Sequence, residues 1–414
     1  REPDLRTPAP SAQSPTMGSA PPLGLYVHIP FCQRKCPYCD FNTYAGLDDL
    51  FAPFTQALVA EILHTGEAAG HPPVTSLFVG GGTPTILPIA HLAAILDACR
   101  QAFALASDTE ITCEANPGVA DQERFAGLRV LGVNRLSMGV QSFDPAELAF
   151  LGRIHSADQA EAAFHAASAA GFANINLDLI YGLPHQSLAA WLATLDRALA
   201  LGPEHLSLYA LTIEEGTPFA RWAAAGRFPY PDDDLAAALY EAADDRLRAA
   251  GYVQYEISNW ARSATPPPDD VTPPDYACRH NLLYWRRHPY FGFGPGAHAM
   301  SDTPPPAGRR WWNVRRPQDY IARLTAGASP EEGSQEIDAR LGMAETMALG
   351  LRLTREGVAD ETFRRRWGVA LDEAFGTQLA TLVERGLIER LSDRVRLTAR
   401  ARLVANQAFV EFMP

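Results

Sequence analysis

The sequence predicts an α/β fold, a partial (β/α)6 TIM-like barrel followed by a smaller helical, winged-helix-like domain. Three observations predict it. Six short β-rich runs, at residues 25–29, 76–79, 110–113, 135–140, 174–180 and 205–211, alternate with longer Ala/Leu-rich stretches such as 50–65 and 157–170, whose apolar spacing is helical. Polar or Gly-rich motifs stand at or just beyond the ends of these runs, and after Trp260 the alternation stops. Strand, helix, strand in repetition implies parallel pairing, because a parallel neighbour is reached only through a long crossover. Six such units make an open barrel, short of the closed ring of eight, and ligand-handling groups then belong at the C-terminal strand ends.

Around that core, residues 1–22 are rich in Pro, Ser and Ala and are expected to form a disordered tail, with Met17 a candidate start residue. The core is expected over 23–260. Residues 261–330 read as an insertion and barrel extension, in which Pro/Asp-rich loops at 265–274 and 303–308 flank an aromatic, Gly-rich block from His280 to His298. From about Glu331 to the C-terminus the chain turns helical and Arg-rich, and ends in Gly386-Leu-Ile-Glu-Arg and Arg394-Val-Arg-Leu-Thr. Helices followed by a short hairpin read as winged-helix-like, a fold that meets DNA in some proteins and serves as a packing module in others. Arg364, Arg365 and Arg366 are expected to form a solvated face.

Composition excludes several classes. At 414 residues, 47% hydrophobic and 20% charged, the chain can bury a large core with one further small domain beside it. No apolar run approaches the length of a spanning helix, and the N-terminal segment lacks the basic-then-apolar layout of a secretion signal, so a cytoplasmic location is expected. Six cysteines, three of them clustered, fit a reducing compartment. A net charge of −13 argues against broad phosphate-backbone binding, and no nucleic-acid partner is expected. Lys35 is the only lysine, which reads as compositional bias.

Chemistry concentrates just after the first strand. Cys32, Cys36 and Cys39 form a C-x3-C-x2-C array on one short loop. Iron–sulfur cubes that only move electrons usually carry a cysteine on each of four irons, so three thiolates leave one iron open to another ligand. Zinc is the rival, but its structural sites take four N/S ligands, commonly as two separated C-x2-C pairs, and no second pair exists here. With Tyr38 before the third cysteine, the array resembles the radical S-adenosylmethionine (SAM) superfamily. That resemblance implies a [4Fe–4S] cluster whose open iron is chelated by the amino and carboxylate groups of SAM, and reductive cleavage of the sulfonium to a 5'-deoxyadenosyl radical.

The same resemblance distributes roles along the barrel. Phe78-Val-Gly80-Gly81-Gly82-Thr83 follows the second strand, where radical SAM proteins hydrogen-bond the SAM amino group, and the role carries over to Gly81, Gly82 and Thr83. Read without it, a Gly triplet equally suits a tight βα turn. Glu114 ends the third strand and can face the SAM ribose or amine, or cap a helix. Gln141, Arg153 and Asp178 match SAM-contact positions of the anaerobic coproporphyrinogen oxidase family, Arg153 as a fork onto the SAM carboxylate. Tyr26 and Tyr38 would flank the cluster and adenine, although Tyr in a strand is usually core. Thr212 is a weaker SAM candidate, and His155 is expected to be structural.

Two branches of that family differ at identifiable residues. The oxidase has a further cysteine two positions past the third, where this chain has Phe41, and a substantial segment before the cluster loop, where this chain has the Pro-rich tail. The HemW haem-chaperone branch is marked by His-Asn-x-x-Tyr-Trp, matched by His280-Asn281-Leu-Leu-Tyr284-Trp285. An imidazole can be an axial iron ligand and Tyr or Trp can pack on a porphyrin face, so these four are the haem-binding candidates. Arg279, Arg286, Arg287, Arg309 and Arg310 are placed to meet the propionates, and His298 is a second imidazole candidate. Read without the resemblance, Tyr284 and Trp285 are core aromatics and His280 a satisfied core imidazole. Cys278 is a conceivable thiolate ligand, whereas Cys99 and Cys113 are expected to be inert core thiols. The resemblance implies a haem chaperone carrying a cluster, SAM and haem and delivering haem to acceptors such as respiratory-chain proteins, with transient association at the membrane surface. The alternative is an oxygen-independent coproporphyrinogen III oxidase making protoporphyrinogen IX.

Overall fold

The computed structural model describes residues 22–119, 121–302 and 308–414. The expected tail therefore lies outside the described residues except for Pro22, as does most of the 303–308 loop. Six parallel strands run in chain order at the centre of a twelve-stranded sheet: β1 (Gly24–Ile29), β2 (Pro73–Gly81), β3 (Ala104–Ala115), β4 (Arg135–Gln141), β5 (Ile175–Tyr181) and β6 (His205–Ala210). Beyond β6 the hairpin β7 (Val253–Glu256) and β8 (Asn259–Ala261) adds antiparallel pairs. On the other side β9 (Tyr290–Phe293) pairs parallel with β1, followed by antiparallel β10 (His298–Ser301), β11 (Gly308–Asn313) and β12 (Glu331–Ile337). Helices Phe51–Ala69, Ile89–Ala102, Gln122–Val130, Ala157–Ala169 and Leu188–Leu201 make the crossovers, the fourth started by a reciprocal Ser156/Gln159 capping box.

Alternation along the strands explains both faces. Leu25, Val27 and Ile29 of β1, Leu136, Met138 and Val140 of β4, and Leu177 and Leu179 of β5 belong to the main apolar core. The opposite set is polar. Glu114 is opposite Ser137, Ser137 opposite Asn176, and Asn176 opposite His205, while Asp178 is opposite Ser207 one pleat further on. A strand period of two thus gives the barrel a greasy outside under its helices and a polar inside.

The C-terminal region corrects two expectations. Glu331–Ile337, expected to open a helical domain, is the edge strand β12. Its sequence, Glu-Glu-Gly-Ser-Gln-Glu-Ile, carries no apolar alternation because only Ile337 is buried, and the strand is specified by the open edge of β11, with Gly333 lying against the Trp312 ring. The block from Tyr290 to Ser301, within the stretch read as a barrel extension, is sheet beside β1. After β12 the order is helix Ala339–Gly350, short strand Val358–Ala359, helices Asp360–Trp367 and Leu371–Glu384, then the hairpin Ile388–Arg390 and Arg394–Leu397, which is the winged-helix order. This unit has its own core of Met347, Phe363, Leu379, Leu382, Ile388 and Val395. Of the arginine run, Arg364 is well exposed, but Arg366 turns inward to the Arg287 main-chain carbonyl and to Asp302. No helix among the described residues is long and apolar enough to cross a membrane.

Candidate functional site

A cavity of about 340 Å3 opens at the C-terminal ends of the central strands. That size is ordinary for a small-molecule or cofactor site. Cys32, Cys36, Tyr38 and Cys39 line it from the loop after β1, Gly81 and Gly82 from β2, Glu114 from β3, Gln141 from β4, Arg153 from the next connection and Asp178 from β5, with Thr212 after β6. The cysteine loop turns on a Cys39 N–H to Cys36 carbonyl bond of 3.2 Å, and Lys35 Nζ donates to the Phe41 carbonyl at 2.8 Å. All three thiols are free and half-buried. Burial pushes the Cys32 and Cys39 thiols above their ordinary range. Among the described residues no three His, Cys, Asp or Glu side chains converge closely enough to hold a single ion.

The glycines are there because backbone meets backbone. Gly82 N–H donates to the Ile29 carbonyl at 2.8 Å, Thr83 N–H to Phe31 at 2.8 Å and Gly81 N–H to a Glu114 carboxylate oxygen at 2.9 Å. A Cβ on Gly82 would strike the Phe31 carbonyl, and Gly81 sits at a φ of +112° with His28 where its Cβ would be. With its N–H groups committed, this stretch has carbonyl oxygens to offer a ligand, the acceptors an ammonium group requires. Thr83 itself stands off the cavity, with its hydroxyl 3.8 Å from Cys32 Sγ. Gln141 holds a φ of +71° at the end of β4, uncommon for a residue with a side chain.

Two carboxylates face this space. Burial, and after it the charge of Asp178, pushes Glu114 up to about 7. Burial also raises Asp178, which accepts from Ser137 Oγ at 3.1 Å and Asn176 Nδ2 at 2.8 Å. Arg153 does not hang free as a fork: its guanidinium donates to Cys36 Sγ at 3.4 Å, Asn116 Oδ1 at 2.5 Å and the Gly139 carbonyl at 2.6 Å. Asn116, which sequence reasoning left out of the site, also donates to Thr83 Oγ1 at 2.6 Å and so ties the two loops together. Its position in Glu114-Ala-Asn116-Pro117-Gly118 at a strand end was the available signal. Tyr26 is not among the residues lining the cavity; its hydroxyl is 2.9 Å from His28 Nδ1 and its ring lies along Phe78. His155, as expected, is a buried imidazole, bonded to the Val140 carbonyl at 3.0 Å.

The segment His280–Trp285 lies in the short helix Arg279–Trp285, packed against β2 away from the cavity mouth. His280 is 1% exposed, with Nδ1 2.9 Å from Ser76 Oγ, Nε2 2.9 Å from Tyr284 Oη, and its ring stacked on Phe78. Asn281 is half-buried, and Trp285 lies under the Arg352 guanidinium at 4.2 Å. The arginines expected to meet propionates are already paired: Arg286 with Glu356 at 2.7 Å, Arg287 with Glu345 and Asp302, Arg310 with Glu345, and Arg309 with Glu331. Cys278 is fully buried, and burial pushes its thiol up to about 12, so it is not an exposed ligand. Cys99 and Cys113 are buried as expected. His298 is exposed and stacked on Trp312 at 5.7 Å.

Residues 26–198 match the Radical SAM superfamily and residues 338–404 the HemN C-terminal domain. Over 388 residues the chain is 40% identical to the heme chaperone HemW of Mycobacterium tuberculosis, covering 93% of each chain. It is 36% identical to the Escherichia coli protein of that name, over 96% of this chain and all of the other. The chain belongs to the HemW family of radical SAM proteins. A solved structure of the E. coli coproporphyrinogen III oxidase HemN, described as a radical SAM enzyme, superposes with a TM-score of 0.80 over 95% of this chain and 90% of that one; at 24% identity this likeness speaks for the fold. Membership of the family implies a [4Fe–4S] cluster and SAM, and the donor set fits both: three thiols on one loop, carbonyls beside them, and two half-buried carboxylates within one cavity of suitable size.

Proposed function

We propose that this HemW-family chain is a haem chaperone, which binds haem and passes it to haem-requiring acceptors such as respiratory-chain proteins. It would act from the cytoplasm, with transient contact at the membrane surface. The observation that carries the reading is near-full-length identity of 36–40% with proteins named heme chaperone HemW. Two local features support it: His280, Asn281, Tyr284 and Trp285 stand together in the pattern that marks this branch, and Phe41, 61% exposed at the cavity, occupies the place of the oxidase's extra cysteine.

In this reading Cys32, Cys36 and Cys39 hold the cluster, with Arg153 beside Cys36 neutralising thiolate charge. Gly81 and Gly82 carbonyls, Glu114, Gln141 and Asp178 hold SAM, Thr83 and Asn116 brace the loops around it, and Tyr38 covers one side. When bound, the cluster supplies an open iron that chelates SAM and a low-potential electron for its sulfonium. His280, Asn281, Tyr284 and Trp285 form the haem segment. Because the ring is buried and both its nitrogens are hydrogen-bonded, His280 meets iron only by giving up Ser76 or Tyr284 and only when the packing over it opens, a movement we assign to its helix.

Anaerobic titration of reconstituted protein with haem is expected to give a Soret band that is displaced or weakened in His280→Ala, while coproporphyrinogen III with SAM and reductant is left unconsumed. A Soret band identical in the variant would remove His280 from the site. Turnover of coproporphyrinogen would put the oxidase reading in its place.

A further inference from the structure

We propose that the SAM cavity and the helix carrying His280 are one coupled unit, joined through the polar interior of the barrel, with Asn176, His205 and Tyr255 as the positioning residues that join them. The proposal rests on the haem-chaperone reading above.

A chain of buried hydrogen bonds runs between the two places, branching at Asn176 to Ser137 and Ser207. The Cys278 N–H, at the N-terminal boundary of the His280 helix, donates to Tyr255 Oη at 3.2 Å. Tyr255 Oη is 2.8 Å from His205 Nε2, and His205 Nδ1 is 2.6 Å from Asn176 Oδ1. Asn176 Nδ2 then donates to Asp178 Oδ1 at 2.8 Å, and Asp178 lines the cavity. Tyr255, His205, Asn176 and Cys278 are all at most 1% exposed. The helix end sets the direction of the chain. A peptide N–H can only donate, so Tyr255 donates onward to Nε2, the neutral imidazole carries its proton on Nδ1, and the Asn176 amide faces Asp178 with its NH2. Bonds polarised in one sense reinforce each other.

The same helix is seated on β3 by a second contact. Glu110 accepts from the N–H groups of Arg279 at 3.0 Å and His280 at 3.1 Å, with Cys278 Sγ at 3.5 Å, and Glu110 and Glu114 alternate with Thr112 on the inward face of that strand. Arg135, fully buried on β4, adds one cation between these carboxylates.

A ligand that engages Asp178 competes with Asn176 for its oxygens. That weakens the tautomer preference of His205 and the grip of Tyr255 on the start of the helix. Since His280 reaches iron only when the helix shifts, a looser seat raises the fraction of chains able to take haem and with it the apparent affinity. SAM at Asp178 is therefore expected to tighten haem binding by about tenfold, within the usual range of coupling between sites.

The test uses the full chain, anaerobic and with its cluster, and measures haem affinity with and without SAM and SAM affinity with and without haem. Wild type should show the same factor, about tenfold, in both directions, as reciprocity demands. In Tyr255→Phe and His205→Gln both ligands should still bind while the factor falls to near one. Tyr252→Phe, which removes a buried hydroxyl bonded to the Pro203 carbonyl off this path, should keep it. A factor of one in wild type, or an undiminished factor in both path variants, overturns the coupling. A wild-type protein that binds no haem at all overturns the haem reading itself, and the coupling with it.

Discussion

In Cys36→Ala, prepared without air, iron and sulfide are expected to fall from about four of each per chain to well below one. Two remaining thiolates cannot grip a cube, and here the loss is compounded locally. Arg153, half-buried at the cavity, keeps its guanidinium beside Cys36 Sγ, and with the sulfur gone one of its N–H groups faces an empty corner while the others stay bound to Asn116 and Gly139. SAM binding, which needs the open iron, should be lost with the cluster. Alanine at buried Cys99, whose thiol touches no site residue, is the control and should leave the iron count unchanged. A Cys36→Ala protein that retains a full complement of iron would show that the metal is held elsewhere.

The second large effect is on stability. The Arg287 side chain is 1% exposed, and the residue holds the left-handed φ of +53° just after the His280 helix, with its guanidinium paired to Glu345 at 2.9 Å and Asp302 at 2.8 Å. Its backbone carbonyl in turn accepts from Arg366 of the C-terminal unit. Arg287→Met keeps most of the volume but leaves two carboxylates short of a cation in a place from which water is largely excluded. Breaking a buried pair this way typically costs about 3–5 kcal/mol. Arg310 and Arg366 still attend Glu345 and Asp302, so the expected loss is at the lower end, about 3 kcal/mol. Arg309→Met, at a pair with about a third of each side chain exposed, should cost under about 1 kcal/mol. Urea unfolding followed by tryptophan fluorescence reads both. Equal midpoints for the two variants would mean that the Arg287 network contributes no more than a surface pair.

The barrel was legible because its strands obey one simple rule. Short β-rich runs at 25–29, 135–140 and 174–180, parted by stretches of helical spacing, marked the strands, which the structure shows to be apolar at every second position, and the Cys32–Cys39 loop, the Gly81–Gly82 turn and Glu114 then fell at the strand ends where such a barrel keeps its chemistry. What escaped was specified by partners distant in the chain. Glu331–Ile337 has no pattern of its own and is a strand only because β11 presents an edge. Arg366 looked like part of a solvated run, yet the carbonyl it caps lies 79 residues away. His280 matched a haem motif, but nothing in the motif announces that Ser76 and Tyr284 take up both ring nitrogens. The polar interior was the signal left unused: Glu110, Arg135, Ser137, Asn176, Asp178, His205 and Ser207 recur at alternate positions of strands otherwise apolar, the mark of a barrel whose inside is wired with hydrogen bonds.

The claim beneath all of this is that three thiols hold a four-iron cube with one iron left for SAM. Mössbauer spectroscopy of anaerobically isolated, iron-57-enriched wild type tests it most directly. The account predicts four irons in a [4Fe–4S] signature, one of which changes its isomer shift and quadrupole splitting when SAM is added. A signature that SAM leaves untouched, or a pocket holding zinc or no iron, would contradict it.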